Sequence, residues 1–209
     1  MAIDYIKNYA TNVGGEIEIK SVIHKSDPIK FLAFITSFSD NMTSNWNEES
    51  VYGRQDVIGT FQNTTRKISL GFDLPSKDLA EAKDNLYKIN KIKQFLYPAY
   101  STSPKRVGET MVTTNALSLS KAPLMRVKFA NLIQNQGEDG LLGWFGSFSA
   151  TPVIDMGMFT DNKSLFPKVY NVSIDFTPQH EYDLGINLDG SPLNNDKFPS
   201  FPYSGGVKS

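Results

Sequence analysis

With 209 residues and a formal net charge of −1, the chain is long enough for one substantial hydrophobic core and carries no global charge that would hold it on nucleic acid or an anionic membrane. It has no Cys, which excludes disulfides, thiolate catalysis and Cys-based zinc or iron-sulfur sites. No apolar run approaches the ~20 residues of a membrane-spanning helix, and the opening "MAIDYIKNYATNVGG", with Asp4 and no long apolar core, does not read as a secretory signal. The expectation is a soluble protein made in the cytoplasm, with no membrane insertion.

Along the chain the dominant hydrophobic period is two, the period of strands. "GEIEIKSVI" reads as a first strand, and "IKFLAFITSF", residues 29–38, is apolar on both sides, as a strand covered on both faces would be. "NWNEESVYGRQDVIGTF", from Asn45 to Phe61, reads as a strand-turn-strand corner. Gly53 supplies a backbone angle that other residues resist, Trp46 and Tyr52 lie on the sheet, and Arg54 pairs with Glu48, Glu49 or Asp56. A sharper reading makes Arg54 and these acids an ionic lock between subunits.

"RKISLGFDLP" follows, with Ile68, Leu70, Phe72 and Leu74 alternating against Lys67, Ser69, Gly71 and Asp73. The pattern then changes to helical spacing. Ser76 stands as N-cap, Asp78 and Glu81 fall in the first turn, and Lys88, Lys91 and Lys93 lie toward the far end, all favourable for the helix dipole. Leu79, Ala82, Leu86, Ile89 and Leu96, with Phe95 beside them, form the apolar stripe of one amphipathic helix over about 77–97, stopped at Tyr97-Pro98.

"LMRVKFANL" alternates again through Met125, Val127 and Phe129. "QNQGEDGLLGWFG", residues 134–146, reads as a tight-turned loop that tucks Trp144 and Phe145 onto its own sheet or holds them out for a partner. "KVYNVSIDFTP" is a last strand through Tyr170, Val172, Ile174 and Phe176. The organisation expected is one β-rich domain over 1–185 and an irregular arm over 186–209 with no period of either kind, whose Phe198, Phe201 and Tyr203 among prolines favour docking. The fold class is mainly β, or α+β, with one flanking helix.

The residues that could do chemistry do not assemble into a known set. His24 and His180 stand apart, and the "HEY" at His180 lacks the second His that a zinc-protease helix needs four residues on. "GSFSA" is not a nucleophile elbow, and there is no phosphate-binding loop. Glu48 and Glu49 are adjacent and so point to opposite faces of a strand, while Asp155, Asp161 and Asp175 cannot be paired from sequence. A cell-wall hydrolase or glycan-binding module remains the alternative, requiring a carboxylate pair or aromatic platform in one groove. The first expectation is a structural or binding protein, not an enzyme, with no catalytic residues, cofactor or metal.

Three stretches together resemble one family, the tail-tube and baseplate tube-initiator proteins of contractile-tailed bacteriophages. They are "NWNEESVYGRQDVIGTFQNTTRKISLGFDLPS", "GLLGWFGSFSATPVIDMGMF" and "LFPKVYNVSIDFTPQHEYDLG", with the helix and its "LYP" ending between the first two. The resemblance covers roughly residues 29–185. It implies a β-sandwich or small barrel with one flanking helix, a virion location in the tail after assembly in the host cytoplasm, and a homo-oligomer, a six-fold ring whose inner strands join around a channel. DNA would meet the protein only in transit, and neighbouring tube, baseplate or sheath proteins would be its other partners. A phage-like secretion tube shares the fold. In that setting the candidate subunit-interface residues are Trp46, Glu48, Glu49, Tyr52, Arg54, Asp56, Trp144, Phe145, Phe201 and Tyr203.

Overall fold

The structure, a computed structural model, describes residues 15–24, 27–32, 34–107, 110–130, 132–135, 140–181, 184–191 and 193, with the backbone alone for 102–118. The strands are β1 (Ile17–Ser21), β2 (Ile29–Phe31), β3 (Phe34–Glu49), β4 (Ile58–Pro75), β5 (Ala99–Val107), β6 (Thr110–Lys121), β7 (Met125–Phe129), β8 (Leu141–Pro152), β9 (Met158–Asp161), β10 (Ser164–Pro167) and β11 (Val169–Pro178). Helix α1 spans Leu79–Phe95. Seven strands form one sheet in the order β2-β1-β7-β8-β11-β4-β3, while β5-β6 and β9-β10 are separate two-stranded sheets. All the registered pairings within the large sheet are antiparallel. The architecture is mainly β.

The order of the sheet also dictates its shape. β2 and β3 are its opposite edges, and in a flat sheet six inter-strand gaps would hold them about 29 Å apart. Yet only three residue steps separate Phe31 from Phe34, a reach of about 10 Å. The sheet must therefore roll until its edges approach. Ring contacts across the interior agree: Phe31 on β2 lies 5.7 Å from Phe72 on β4, and Phe38 on β3 lies 6.4 Å from Phe129 on β7.

This corrects the reading of residues 29–38 as one strand covered on both faces. The run is two strand segments on opposite edges, and Phe34 and Ile35 are exposed. Its continuous apolarity has two sources, an edge strand facing the core and the start of another edge that does not.

The alternating residues fill the roll. Ile17, Ile19, Ile68, Leu70, Phe72, Leu74, Met125, Val127, Tyr170, Val172, Ile174 and Phe176 are buried in one cluster, joined by Ile89, Ile92 and Phe95 of α1. Sheet and helix thus share a core. The helix begins two residues later than the Ser76 reading places it: Asp78 is the N-cap, its carboxylate accepting from the Glu81 N–H at 2.8 Å. Glu81 in turn accepts from the Lys77 N–H. Ser76 is instead buried and accepts from Asn85 Nδ2 at 3.0 Å, which satisfies the one polar residue in the buried stripe.

Residues 141–146 are likewise not a loop but the start of β8, with Leu141 and Phe145 buried and Trp144 on the opposite side. Opposite Asp175 and Phe176 the register slips, leaving Gly146 as the extra residue of a bulge, which bends the strand. Gly143, three residues earlier, is packed so closely that an added Cβ would overlap the Thr177 carbonyl oxygen and come within 2.7 Å of the Phe176 ring. Gly143→Ala is therefore expected to destabilise by about 1–3 kcal/mol, the usual cost of overpacking, measured by urea unfolding.

Candidate functional site

β3 and β4 are far longer than the strands around them, at 16 and 18 residues, and the core uses only half of that length. On β4 every second residue from Leu74 to Ile68 is buried, then Arg66, and from Thr65 to Ile58 every residue is exposed. Beyond Arg66 the pair is a two-stranded ribbon standing away from the core. Cross-strand pairs hold it: Trp46 lies opposite Phe61 with the rings edge-on at 5.3 Å, and Asn45 Nδ2 donates to Asn63 Oδ1 at 2.7 Å.

The base of the ribbon is an ion pair. Arg66 Nε donates to Asp40 Oδ1 at 2.9 Å and Nη2 to Oδ2 at 2.5 Å, with side chains only 4% and 6% exposed. Both face the same side as the core residues of their strands. The pair ends the apolar interior, and an inward charge on an edge strand also disfavours misregistered pairing there. Past it, burial and then the Arg66 guanidinium hold the His180 imidazole below its ordinary value, with the Asp40 carboxylate opposing. Arg126 clasps Glu181 with two hydrogen bonds of 2.8 and 2.7 Å, fixing the chain after β11 and lowering the Glu181 carboxyl below its ordinary value.

At the tip the structure separates the residues that the sequence grouped. Gly53 has φ +82°, the left-handed angle expected of it. Trp46 packs on Phe61 but remains 56% exposed, and Tyr52 is fully exposed rather than laid on the sheet. Glu48, Glu49, Arg54 and Asp56 are exposed, and among the described residues no ion pair joins Arg54 to any of these acids. The corner is thus not closed by its own charges. Phe145 is taken into the core, leaving Trp144, 44% exposed, as the surface residue of that pair. Phe201 and Tyr203 lie outside the described residues. The arm begins with an ordered turn in which Asn187 N–H donates to the Ser191 carbonyl and Leu193 N–H to that of Gly185.

Sequence reading missed the outer face of the rolled sheet. Cross-strand register lines up Ser39, Ser69, Asp175 and Ser147 in one row, and Ser37, Gly71, Ser173 and Ser149 in the next. Asp73 accepts from Asn171 Nδ2 in a third. On these four strands the face is built mostly of short polar side chains, while β1, β2 and β7 turn Glu18, Lys20, Lys30, Arg126 and Lys128 outward. Asp175 accepts from Ser147 Oγ at 2.6 Å and Ser69 Oγ at 2.8 Å, and these bonds, Ser147's first, lower its carboxyl below the ordinary value. Each strand shows its half of this pattern as plain alternation, and only the register reveals the rows.

For Asp175 the expected result is that Ser147→Ala raises the carboxyl midpoint, read by carboxyl-carbon NMR. The sign follows from linkage: a carboxyl depressed in the folded state contributes stability above its unfolded value, near 3.9, lost as pH falls through the folded value. A midpoint unmoved in the variant would show that the Ser147 bond is not what holds it.

Among the described residues no group of three or more His, Asp or Glu is placed to hold a metal ion, and no helix is long and apolar enough to cross a membrane. What the arrangement offers is surface. β3 stands at the end of the strand order, so the side of it away from β4 pairs with no described strand, and the ribbon extends that edge with Val57, Ile58, Phe61 and Trp46 exposed. No protein-family model and no curated protein matches the chain.

Proposed function

We propose that the chain is a structural virion protein, a subunit of the tail tube of a contractile-tailed phage or of its baseplate-proximal initiator. In this reading six copies form a ring around a DNA-conducting channel, and the rolled sheet is a small barrel of the tail-tube kind with α1 at its flank. The observation that carries the reading is the β3–β4 ribbon. A two-stranded hairpin alone in water is marginal at best, and a long unpaired edge with exposed aromatics is a hazard for a monomer. Both become ordinary if a neighbouring copy pairs with the edge and covers the ribbon, as closed rings of identical subunits allow.

The outer face supports the same reading. On β3, β4, β11 and β8 short Ser, Thr, Asn and Asp side chains, with Lys67 the one cation described there, suit a wall along which DNA slides, whereas Lys20, Lys30, Arg126 and Lys128 lie on the β1, β2 and β7 part of the face. A wall rich in Lys and Arg would hold phosphates by counterion release. The ring also relates to the resemblance through residues 45–76, the first stretch that carries it, which in this fold are the ribbon itself and the core half of β4.

Negative-stain electron microscopy of the purified full-length chain, alone and with tail partners, tests the proposal. Six-fold rings or short tubes are expected. A chain that stays monomeric at high concentration and never enters a tail overturns it.

A further inference from the structure

Two places on the surface carry unanswered charge of opposite sign. At the ribbon tip Glu48, Glu49 and Asp56 stand with Arg54, three carboxylates to one guanidinium, all exposed and, among the described residues, joined by no ion pair. On the outer face of β1, β2 and β7 the sign is reversed. Cross-strand register sets Lys30, Glu18 and Lys128 in one row and Lys20 opposite Arg126 in the next.

The acids of that face are already engaged. Glu18 takes Lys30 at 2.5 Å, and Glu181 takes Arg126 through two hydrogen bonds. Among the described residues no ion pair reaches Lys20 or Lys128. Lys20 also stands directly opposite another cation, an arrangement that destabilises a sheet. Within one chain the acidic tip does not relieve this, because the tip is exposed throughout. In a ring each interface joins two different patches of the same chain, one from each neighbour, and the two must complement one another.

We propose that the ribbon tip of one copy seats on the β1, β2 and β7 part of the outer face of the next, with Glu48, Glu49 and Asp56 answering Lys20 and Lys128. This rests on the proposed ring and names the surface that receives the ribbon. Tyr52, fully exposed at the turn, is the aromatic anchor of the seat, a residue type that carries much of an interface's energy once buried. The seat also bears on the channel. It covers the two unanswered cations, while Lys30 and Arg126 are already neutralised by Glu18 and Glu181, so little free positive charge is left to hold phosphates.

A charge swap tests the seat. Glu48→Lys with Glu49→Lys reverses the tip, and Lys20→Glu with Lys128→Glu reverses the face. Each full-length variant is imaged by electron microscopy alone and in equal mixture, beside the parent at matched folded concentration. The parent is expected to form rings, each variant alone to lose them, and the mixture to regain them. In a six-fold ring the two variants can alternate, so that every tip meets a face of opposite charge. Rings in either variant alone, or none in the mixture, overturn the seat and leave the parent's ring standing. A parent that forms no ring overturns the proposed function, and this inference with it, before any variant is made. As a second readout that needs no charge reversal, a photo-crosslinking residue in place of Tyr52 in parent rings is expected to link to the peptide carrying Lys20 or Lys128 of another copy. A link to any other peptide overturns the seat even if the face variant fails to fold.

Discussion

Arg66→Met is expected to lower the unfolding free energy by about 3–5 kcal/mol, the range for removing one partner of a buried ion pair. The reason is what remains. Asp40 is 6% exposed and takes both of its strong hydrogen bonds from Arg66, so the substitution leaves a desolvated carboxylate with its donor removed. Asp40→Leu strands the guanidinium in the same way. The double variant, Asp40→Leu with Arg66→Met, is expected to recover most of the loss, because an apolar pair extends the core by one layer without desolvating a charge. Urea unfolding of the three variants checks this. Single substitutions whose losses simply add in the double variant would show that the two side chains are not energetically coupled.

The second large effect concerns assembly. If the chain forms the proposed ring, Trp46→Ser with Phe61→Ser is expected to abolish it, with thermal stability nearly unchanged. Both side chains are at least half exposed and lie beyond the ion pair that ends the core, so their removal costs the monomer little. In a ring they are the aromatic anchors that a neighbour would bury, and such anchors dominate interface energy. Arg54→Ala, lacking any ion-pair partner among the described residues, is expected to weaken assembly without changing monomer solubility. Light scattering and electron microscopy at matched folded concentration read both. A stability loss with rings intact would make the ribbon an internal element and remove the main support for the proposed function.

The residues that sequence reading placed well are those whose own strand carries the whole signal. Ile68 to Leu74 and Tyr170 to Phe176 alternate, and the apolar member of each alternation is buried. The helix is equally local in its signal, but the buried stripe runs through Ala82, Asn85, Ile89, Ile92 and Phe95, with Leu79, Leu86 and Leu96 only half-buried beside it. Its cap is Asp78 rather than Ser76, because both have N-cap chemistry and the buried Asn85 decides between them. What could not be read depends on distant partners. "GLLGWFG" resembles a loop because glycines at 143 and 146 serve close packing and a bulge, needs set by β11 some thirty residues on. The split of 29–38 follows from sheet closure, and the exposure of Tyr52 from the core's ending at Arg66. Nothing in the order of letters from Asn45 to Phe61 says that the strands there outrun the core.

The position of β11 sets a timetable for the molecule. It is the last of the described strands in the chain, yet it lies inside the sheet, paired with β4 on one side and β8 on the other. During synthesis β4 and β8 emerge before the strand that joins them, so until β11 follows neither has its partner on that side. The ribbon therefore has no finished base until residue 178 has left the ribosome. A premature fragment would display the sticky edge without the strand that anchors it. Under the proposed function, competence to join a neighbour would be withheld until β11 has taken its place between β4 and β8.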